Sequence, residues 1–462
     1  MSERGLVRGV DLRAAVAINT IAMIGVGPLI TVPLVLGALH GTLSLAGWII
    51  GALLAMCDGL VWSELGALYP GSGGTYGYLR TIFGSTRAGS LLAFVFAWQT
   101  LFAAPLNQAV GYIGIANYTG YLFPAVSDSP WAIKALAVLF GGLTLLALYR
   151  RITTVARIGI GLAFAVLVTV GCVIAAAYAH FTPSLVTSLP PNDSVWNGLR
   201  MGLGQGLLIA IYDYLGYNAA SSIGAEVIRP ARTLPLSIVI SVAIVAAIYL
   251  TLQVGILGAI PWASVIPQPD GSLPPMGQHI ASAIVERSFG APAATGVTVL
   301  IIVSAFASMY ANLLAYSRIP FAAAAEGQFL RPFAHLHPKL RFPDISLLTI
   351  GLLALPAALL PLDTVFNALT TGMVLIQSVA QIVALGVVRA RGIRSPYRMW
   401  LYPLPALVAL GCWLFVFWSA GLGAISFGLL TLAIGAAVFL VRAAQARRWP
   451  FAARETAKNA AR

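Results

Sequence analysis

Apolar residues in this chain gather into long runs, each close to the ~20 residues that a helix needs to cross a hydrocarbon layer. Residues 18–39, 45–65 and 160–178 are clear cases. Backbone N–H and C=O groups in lipid must be satisfied within the spanning segment, which leaves helices or a closed barrel. The run lengths and the lack of ten-residue alternation exclude the barrel. The pattern predicts an all-α integral membrane fold with twelve transmembrane helices, at about 14–39, 45–68, 90–117, 131–149, 158–180, 198–226, 235–260, 292–322, 345–360, 364–388, 401–422 and 425–441.

Composition agrees with this picture. Of the 462 residues, 59% are apolar and only 9% are charged. A soluble domain carries roughly 25% charged residues. The net charge of +13 would suggest nucleic acid in a soluble protein, but its placement argues otherwise. With the spans above, 24 of the 27 Lys and Arg residues fall on one side, leaving Lys134, Arg200 and Arg287 on the other. The positive-inside rule puts the rich side, and with it both termini, in the cytoplasm of a cell carrying the protein in its plasma membrane. The basic tail from Arg442 onward reads as a topology signal rather than a nucleic-acid arm. The first apolar run is long enough to remain as a helix, so no cleaved leader is expected. Cys57, Cys172 and Cys412 are isolated in apolar segments, with no disulfide or metal spacing among them.

Two spans carry interruptions five spans apart. The first reads Ile24-Gly25-Val26-Gly27-Pro28-Leu29-Ile30-Thr31. Glycines permit unwinding and close approach of a ligand, and proline fits the start of a helix, where its missing N–H would be unpaired anyway. The second half of this span then offers free N–H groups and a positive dipole end, which suit a carboxylate. A kink that serves only helix packing is the alternative. The sixth span reads Ile211-Tyr212-Asp213-Tyr214-Leu215-Gly216-Tyr217-Asn218. An acid at mid-membrane costs about 2.5–3.5 kcal/mol to insert, so Asp213 should face the bundle interior. It is a candidate ligand for a substrate ammonium, a candidate proton carrier, or a buried acid bonded to unwound backbone. Asp58 in the second span is a second candidate for proton coupling, and Asn218 a neutral member of the site. Matching breaks in two halves are the mark of an inverted repeat. The expected division is a cytoplasmic tail (1–13), one five-helix repeat (14–180), its inverted partner (198–388), two accessory helices (389–441) and a basic tail (442–462).

With these residues assembled, the chain resembles the amino acid–polyamine–organocation (APC) superfamily of permeases along nearly its whole length. Gly25-Val26-Gly27 stands where that family has its glycine-rich break. Ser63-Glu64-Leu65, followed by Tyr69-Pro70-Gly71-Ser72-Gly73-Gly74-Thr75-Tyr76-Gly77-Tyr78-Leu79, is similar to the family segment after the second helix. Gly216-Tyr217-Asn218, through Ala225-Glu226-Val227 to Arg229-Pro230-Ala231-Arg232-Thr233-Leu234-Pro235, is similar to its exit from the sixth. Tyr316-Ser317-Arg318 to Glu326-Gly327, His337-Pro338 with Pro343, and Pro396-Tyr397-Arg398 with Tyr402-Pro403-Leu404-Pro405 complete the order. The resemblance implies an alternating-access carrier with broken first and sixth helices, proton-driven or exchanging. It places the substrate carboxylate on Gly25, Val26 and Gly27, the amine near Ile211, Tyr212, Asp213 and Tyr214, and an aromatic gate on Tyr212. The chain departs from the family at Val26, where a small polar residue is commoner, at Pro28, and at Asn218, where several members have Glu. Its fifth span lacks a central lysine, and Asp213 is a candidate to take over that coupling duty.

Other segments add less. Pro70-Gly71-Ser72-Gly73-Gly74 lacks the Gly-Lys-Ser/Thr ending of a phosphate loop, and a bend into a cytoplasmic gating helix is expected instead. Glu64 and Glu226 lie near cytoplasmic helix ends beside Arg-rich loops, either as gate salt bridges or as solvated ends. Residues 261–275 form a Pro-rich outer connection, a candidate lid. No nucleophile with a base and no ligand cluster suggests an enzyme, a metal or a cofactor. The expected function is transport of an amino acid by symport or antiport, with a polyamine or other organic amine as the alternative substrate. A non-transporting sensor or a channel is the reading from a different class.

Overall fold

The computed structural model describes residues 9–25, 27–71, 73–84, 87–127, 129–149, 152–188, 195–224, 227–268, 272–340 and 342–446. Among them the regular structure is helical, the helices being joined by turns and loops, and an isolated bridge links Val10 and Val227. The first half comprises α1 (Leu12–Met23), α2 (Gly27–Leu39), α3 (Ser44–Leu68), α4 (Thr75–Phe83), α5 (Arg87–Leu122), α6 (Pro130–Leu148) and α7 (Ile152–Ala179). The second comprises α8 (Val195–Tyr214), α9 (Pro230–Ala259), α10 (Ile280–Phe289), α11 (Ala291–Ala325), α12 (Asp344–Ala357), α13 (Leu362–Met373), α14 (Ala380–Ala390), α15 (Leu404–Ser419) and α16 (Leu422–Gln445).

Among the described residues, seven helices are long and apolar enough to cross a membrane, or eight if α1 and α2, bent by 49° at their junction, count as one span. Three shorter apolar helices, Phe164–Ala179, Asp344–Ala357 and Leu404–Ser419, accompany them. The span expected over 364–388 is not one regular helix: α13 and α14 are joined by a π-helical stretch, Val374–Val379. The connection before the eighth expected span holds a helix of its own, α10, which buries Ile280, Ala281, Ile284 and Val285.

Solvent preference is inverted relative to a soluble protein. Large apolar side chains such as Met201, Trp418 and Leu422 are exposed, while Asn19, Asp58, Glu64, Gln253 and Asp213 are buried. Such an apolar periphery is stable only against lipid. In the interior, α3 packs on α9, α5 on α11 and α13, and α2 on α8, so the two broken segments lie at the centre. The N-terminal approach is fixed too, because Asp11 caps α1 by accepting from the Ala14 N–H at 2.8 Å.

Candidate functional site at two helix breaks

The first break follows from glycine. The last helical bond of α1 runs from Ile24 N–H to the Thr20 carbonyl at 2.8 Å, and α2 begins at Gly27. Pro28 lies in the first turn of α2, where a missing N–H costs nothing. Val26 lies outside the described residues. Gly25 must lack a side chain, since a Cβ there would fall 2.6 Å from Ser308 Oγ on α11.

The second break follows α8, which ends at Tyr214. Gly216 adopts φ +120°, a region open to glycine, and a Cβ on it would fall 2.8 Å from the backbone of Ala22 in the last turn of α1. The two breaks therefore touch. Asn19 of α1 reinforces the contact, its Oδ1 accepting from the Ala220 N–H at 2.8 Å just past the break. Tyr249 of α9 reaches both: its hydroxyl lies 2.8 Å from the Met23 carbonyl and 3.0 Å from the Asp213 carbonyl.

Asp213 is wholly buried against α2. Its Oδ2 accepts from Thr31 Oγ1 at 2.5 Å, and its Oδ1 has no hydrogen-bond partner. That free oxygen sits beside Gly27, in the space a Cβ would fill. A cavity of about 90 Å³ opens beside it, between the breaks, α5 and α11. Asn107, Ser308, Asn312 and Gln377 give it neutral polar walls, and Tyr212, Tyr217 and Tyr316 give it aromatic ones. Among the described residues lining it, Asp213 is the one carboxylate and none is Lys, Arg or His. Such a site can seat a small molecule with an ammonium group against Asp213 and hydrogen-bonding groups along the amides.

Contacts around the cavity suit a closure device. Tyr212 meets Phe366 of α13 edge-on, with centroids 4.7 Å apart. Toward the end of the cavity lined by Gly73, Thr75 and Ser222, α4 is held by several bonds. The Gly73 N–H donates to the Ser222 carbonyl at 3.0 Å, Gln381 Nε2 donates to Thr75 Oγ1 at 2.9 Å, and Tyr76 donates to Glu326 at 2.6 Å. Arg80 pairs with the same Glu326 carboxylate at the end of α11. Glu64 is paired elsewhere: it is fully buried, 2.6 Å from Arg389 at the end of α14, and accepts from the Met399 N–H at 2.8 Å.

The structure thus brings Gly25, Gly27, Tyr212, Asp213 and Asn218 to one cavity. Ile211 and Tyr214, expected beside them, are buried away from it; Tyr214 packs on Trp48 and Tyr249. Asp58 is one hydroxyl removed, accepting from Tyr217 at 2.5 Å. Glu226 lies outside the described residues. Sequence reasoning missed Thr31, Asn107, Tyr249, Ser308, Asn312 and Glu326. Amides and hydroxyls within apolar spans were the available signal for several of them.

Comparison with known proteins gives a consistent set of relatives. The family profile described as amino acid permease matches residues 12–443. The serine/threonine exchanger SteT of Bacillus subtilis is 24% identical over 404 residues, covering 82% of each chain. The human cationic amino acid transporter 4 is 27% identical over 76% of this chain, which spans 55% of that longer relative. The aspartate-proton symporter of Bacillus subtilis is 28% identical over 46% of this chain and 41% of its own.

Proposed function

The chain belongs to the amino acid permease family, a family of membrane transporters rather than enzymes, and from that premise we propose that it carries an amino acid across the plasma membrane by alternating access. The observation that carries this reading is the cavity between the two helix breaks, with the start of α2 on one wall and Asp213 on another. In this reading the substrate carboxylate rests on Gly25, Val26 and Gly27, the ammonium lies near Tyr212 and Asp213, and Asn218 forms a secondary contact. Twelve spans, 14–180 and 198–388 as inverted repeats, two accessory helices and cytoplasmic termini complete the architecture. The 49° bend between α1 and α2, the end of α8 at Tyr214 with Gly216 at φ +120°, and the charge separation along the chain support it.

Movement is driven by a proton gradient or by exchange, modes named for the symporter and the exchanger among the relatives. Asp213 and Asp58 are the chain's own candidates for the proton. Tyr212 gates one end of the cavity; Glu64 and Glu226 are gate candidates at the other, joined by Glu326. An organic amine is a second reading of the substrate, favoured by the acid that is the sole charge among the described lining residues.

Uptake and counterflow in proteoliposomes test the proposal. Purified protein should accumulate one class of labelled amino acid or amine saturably, and Gly27→Leu, whose side chain would collide with Asp213, should abolish it. Absence of uptake, counterflow and ligand-induced thermal stabilisation across amino acids and amines would overturn it.

A further inference from the structure

Asp213 stands where an incoming carboxylate would have to go. The first turn of α2 is a positively polarised wall of the cavity, because the N–H groups of a helix start have no intrahelical partner, and no Lys, Arg or His lies among the described lining residues. The Asp213 carboxyl already lies along that turn. Oδ2 is bound by Thr31, four residues into α2, and Oδ1 is buried, unpartnered and directed at Gly27. A substrate carboxylate on Gly25–Gly27 therefore meets a resident carboxylate at close range. Two such charges in a water-poor site are not both ionised at once, whereas an ammonium in the same place is attracted.

We propose that Asp213 is a resident stand-in for the substrate carboxylate, so that a zwitterionic amino acid enters the site only together with one proton, while the corresponding amine enters without one. The proposal rests on the reading of the cavity as an amino-acid or amine site. The proton is taken from solution and settles on Oδ1, the free oxygen, turning it from an acceptor into a donor that faces the substrate carboxylate. No bond other than this O–H forms. Thr31 is a positioning residue: it holds Oδ2 so that Oδ1 points at Gly27.

The groups around Asp213 leave this duty to it. On its own helix, Tyr212 and Tyr214 are phenols, and Tyr214 faces Trp48. From α9, the hydroxyl of Tyr249 is shared by two backbone carbonyls. From α11, Tyr316 and the neutral Ser308 and Asn312 face the cavity, and from α5 the neutral Asn107 does so. Asp58 on α3, behind the lining residue Tyr217, is bound by that tyrosine's hydroxyl. From α13 the approaching group is the ring of Phe366.

Calorimetry on the purified full-length protein tests the proposal, with serine, leucine and arginine each paired with its decarboxylated amine. Titrations in phosphate and in Tris, which differ in ionisation enthalpy, give the number of protons taken up. In the pH range where Asp213 is ionised in the empty site, the expected result is about one proton with the bound amino acid and none with its amine. Amino-acid affinity should also fall by about tenfold per pH unit once Asp213 is ionised in the empty site. Asp213→Asn should bind the amino acid with no proton uptake and lose its preference for the amine. Thr31→Val keeps the carboxyl and removes the donor to its ionised form, so the pH at which amino-acid affinity falls should move upward by about one unit. Amino-acid binding by the native protein without proton uptake at every pH tested would overturn the proposal, as would proton uptake retained in Asp213→Asn. If that variant does not fold, an unmoved pH profile in Thr31→Val overturns it. Binding of no member of any pair would instead bring down the reading of the cavity, and this proposal with it.

Discussion

The hydroxyl of Tyr249 lies 2.8 Å from the carbonyl oxygen of Met23, the last residue of α1. The same hydroxyl is 3.0 Å from the carbonyl of Asp213, one residue before α8 ends. Helix ends leave carbonyls without intrahelical partners, and in a water-poor interior each needs another donor. One phenol on a third helix thus serves both breaks. Its ring is fixed by edge contacts with Trp48 and Tyr214 at 5.3 and 5.2 Å. The breaks are held as a unit rather than as two separate kinks.

Tyr249→Phe should therefore lower thermal stability measurably, by about 1–3 kcal/mol, because it leaves the buried Asp213 carbonyl unserved while preserving the ring, although Met23 keeps the Gly25 N–H at 3.0 Å. Tyr214→Phe is the internal control. Its hydroxyl reaches only the Trp48 carbonyl, at 3.2 Å, and the loss should be smaller. Thermal unfolding of the two variants in the same detergent decides the matter; equal losses would mean that the shared hydroxyl does not hold the breaks together.

Gly216→Ala should be far more damaging than alanine at an unhindered glycine. At Gly216 a Cβ meets the Ala22 backbone at 2.8 Å and φ is +120°, so both strain and collision oppose it. The conformational part alone costs on the order of 1–3 kcal/mol. Gly171 in α7 has open space around it, and Gly171→Ala should be neutral or slightly stabilising. Uptake and melting temperature of the two variants, measured side by side, check the contrast.

How much of this was legible in the sequence follows from what each feature depends on. The apolar runs and the Gly-Val-Gly-Pro interruption are local, so the helices and the first break could be read directly. Asp213 was legible because an acid at that depth must be explained wherever it points. Its partner Thr31 was not, since the pairing joins residues 182 positions apart. Ile211 and Tyr214 were expected at the site because the family resemblance places the amine along the whole stretch 211–214. Successive helix residues point about 100° apart, and this turns Tyr214 toward Trp48 instead. The helix Ile280–Phe289 had a visible apolar stripe at three- and four-residue spacing, but it was absorbed into a connection between spans. The membrane pattern drew attention to long runs and away from short amphipathic ones.

Glu64 and Arg389 supply a different prediction. Glu64 is fully buried, Arg389 is mostly so, and the guanidinium lies 4.6 Å from the Tyr402 ring centroid. Ser395 and Met399 also bond Glu64, which clamps the segment after α14 onto α3. Removing one partner of such a pair strands the other charge and costs about 3–5 kcal/mol. Glu64→Ala should thus express poorly or melt early, and Glu64→Gln with Arg389→Met should recover part of the loss. A double-mutant cycle on melting temperatures measures the coupling, and additive losses would reduce the pair to two independent contacts.

Glu326 should behave in the opposite way. Its carboxylate takes both Arg80 and Tyr76 of α4, but the ion pair is 38% and 45% exposed on its two sides. Screening at that exposure leaves a pair worth roughly 0–1 kcal/mol, so Glu326→Gln should barely change thermal stability. It should nevertheless loosen α4 from the end of α11, the side on which Gly73, Thr75 and Ser222 line the cavity. A cysteine placed at Ser222 should then react faster with a water-soluble maleimide in the Glu326→Gln background than alone. The acceleration should survive at low salt and shrink at high salt, where the native pair is already weakened. A labelling rate that does not change, together with unchanged stability, would show that Glu326 does not latch this end of the cavity.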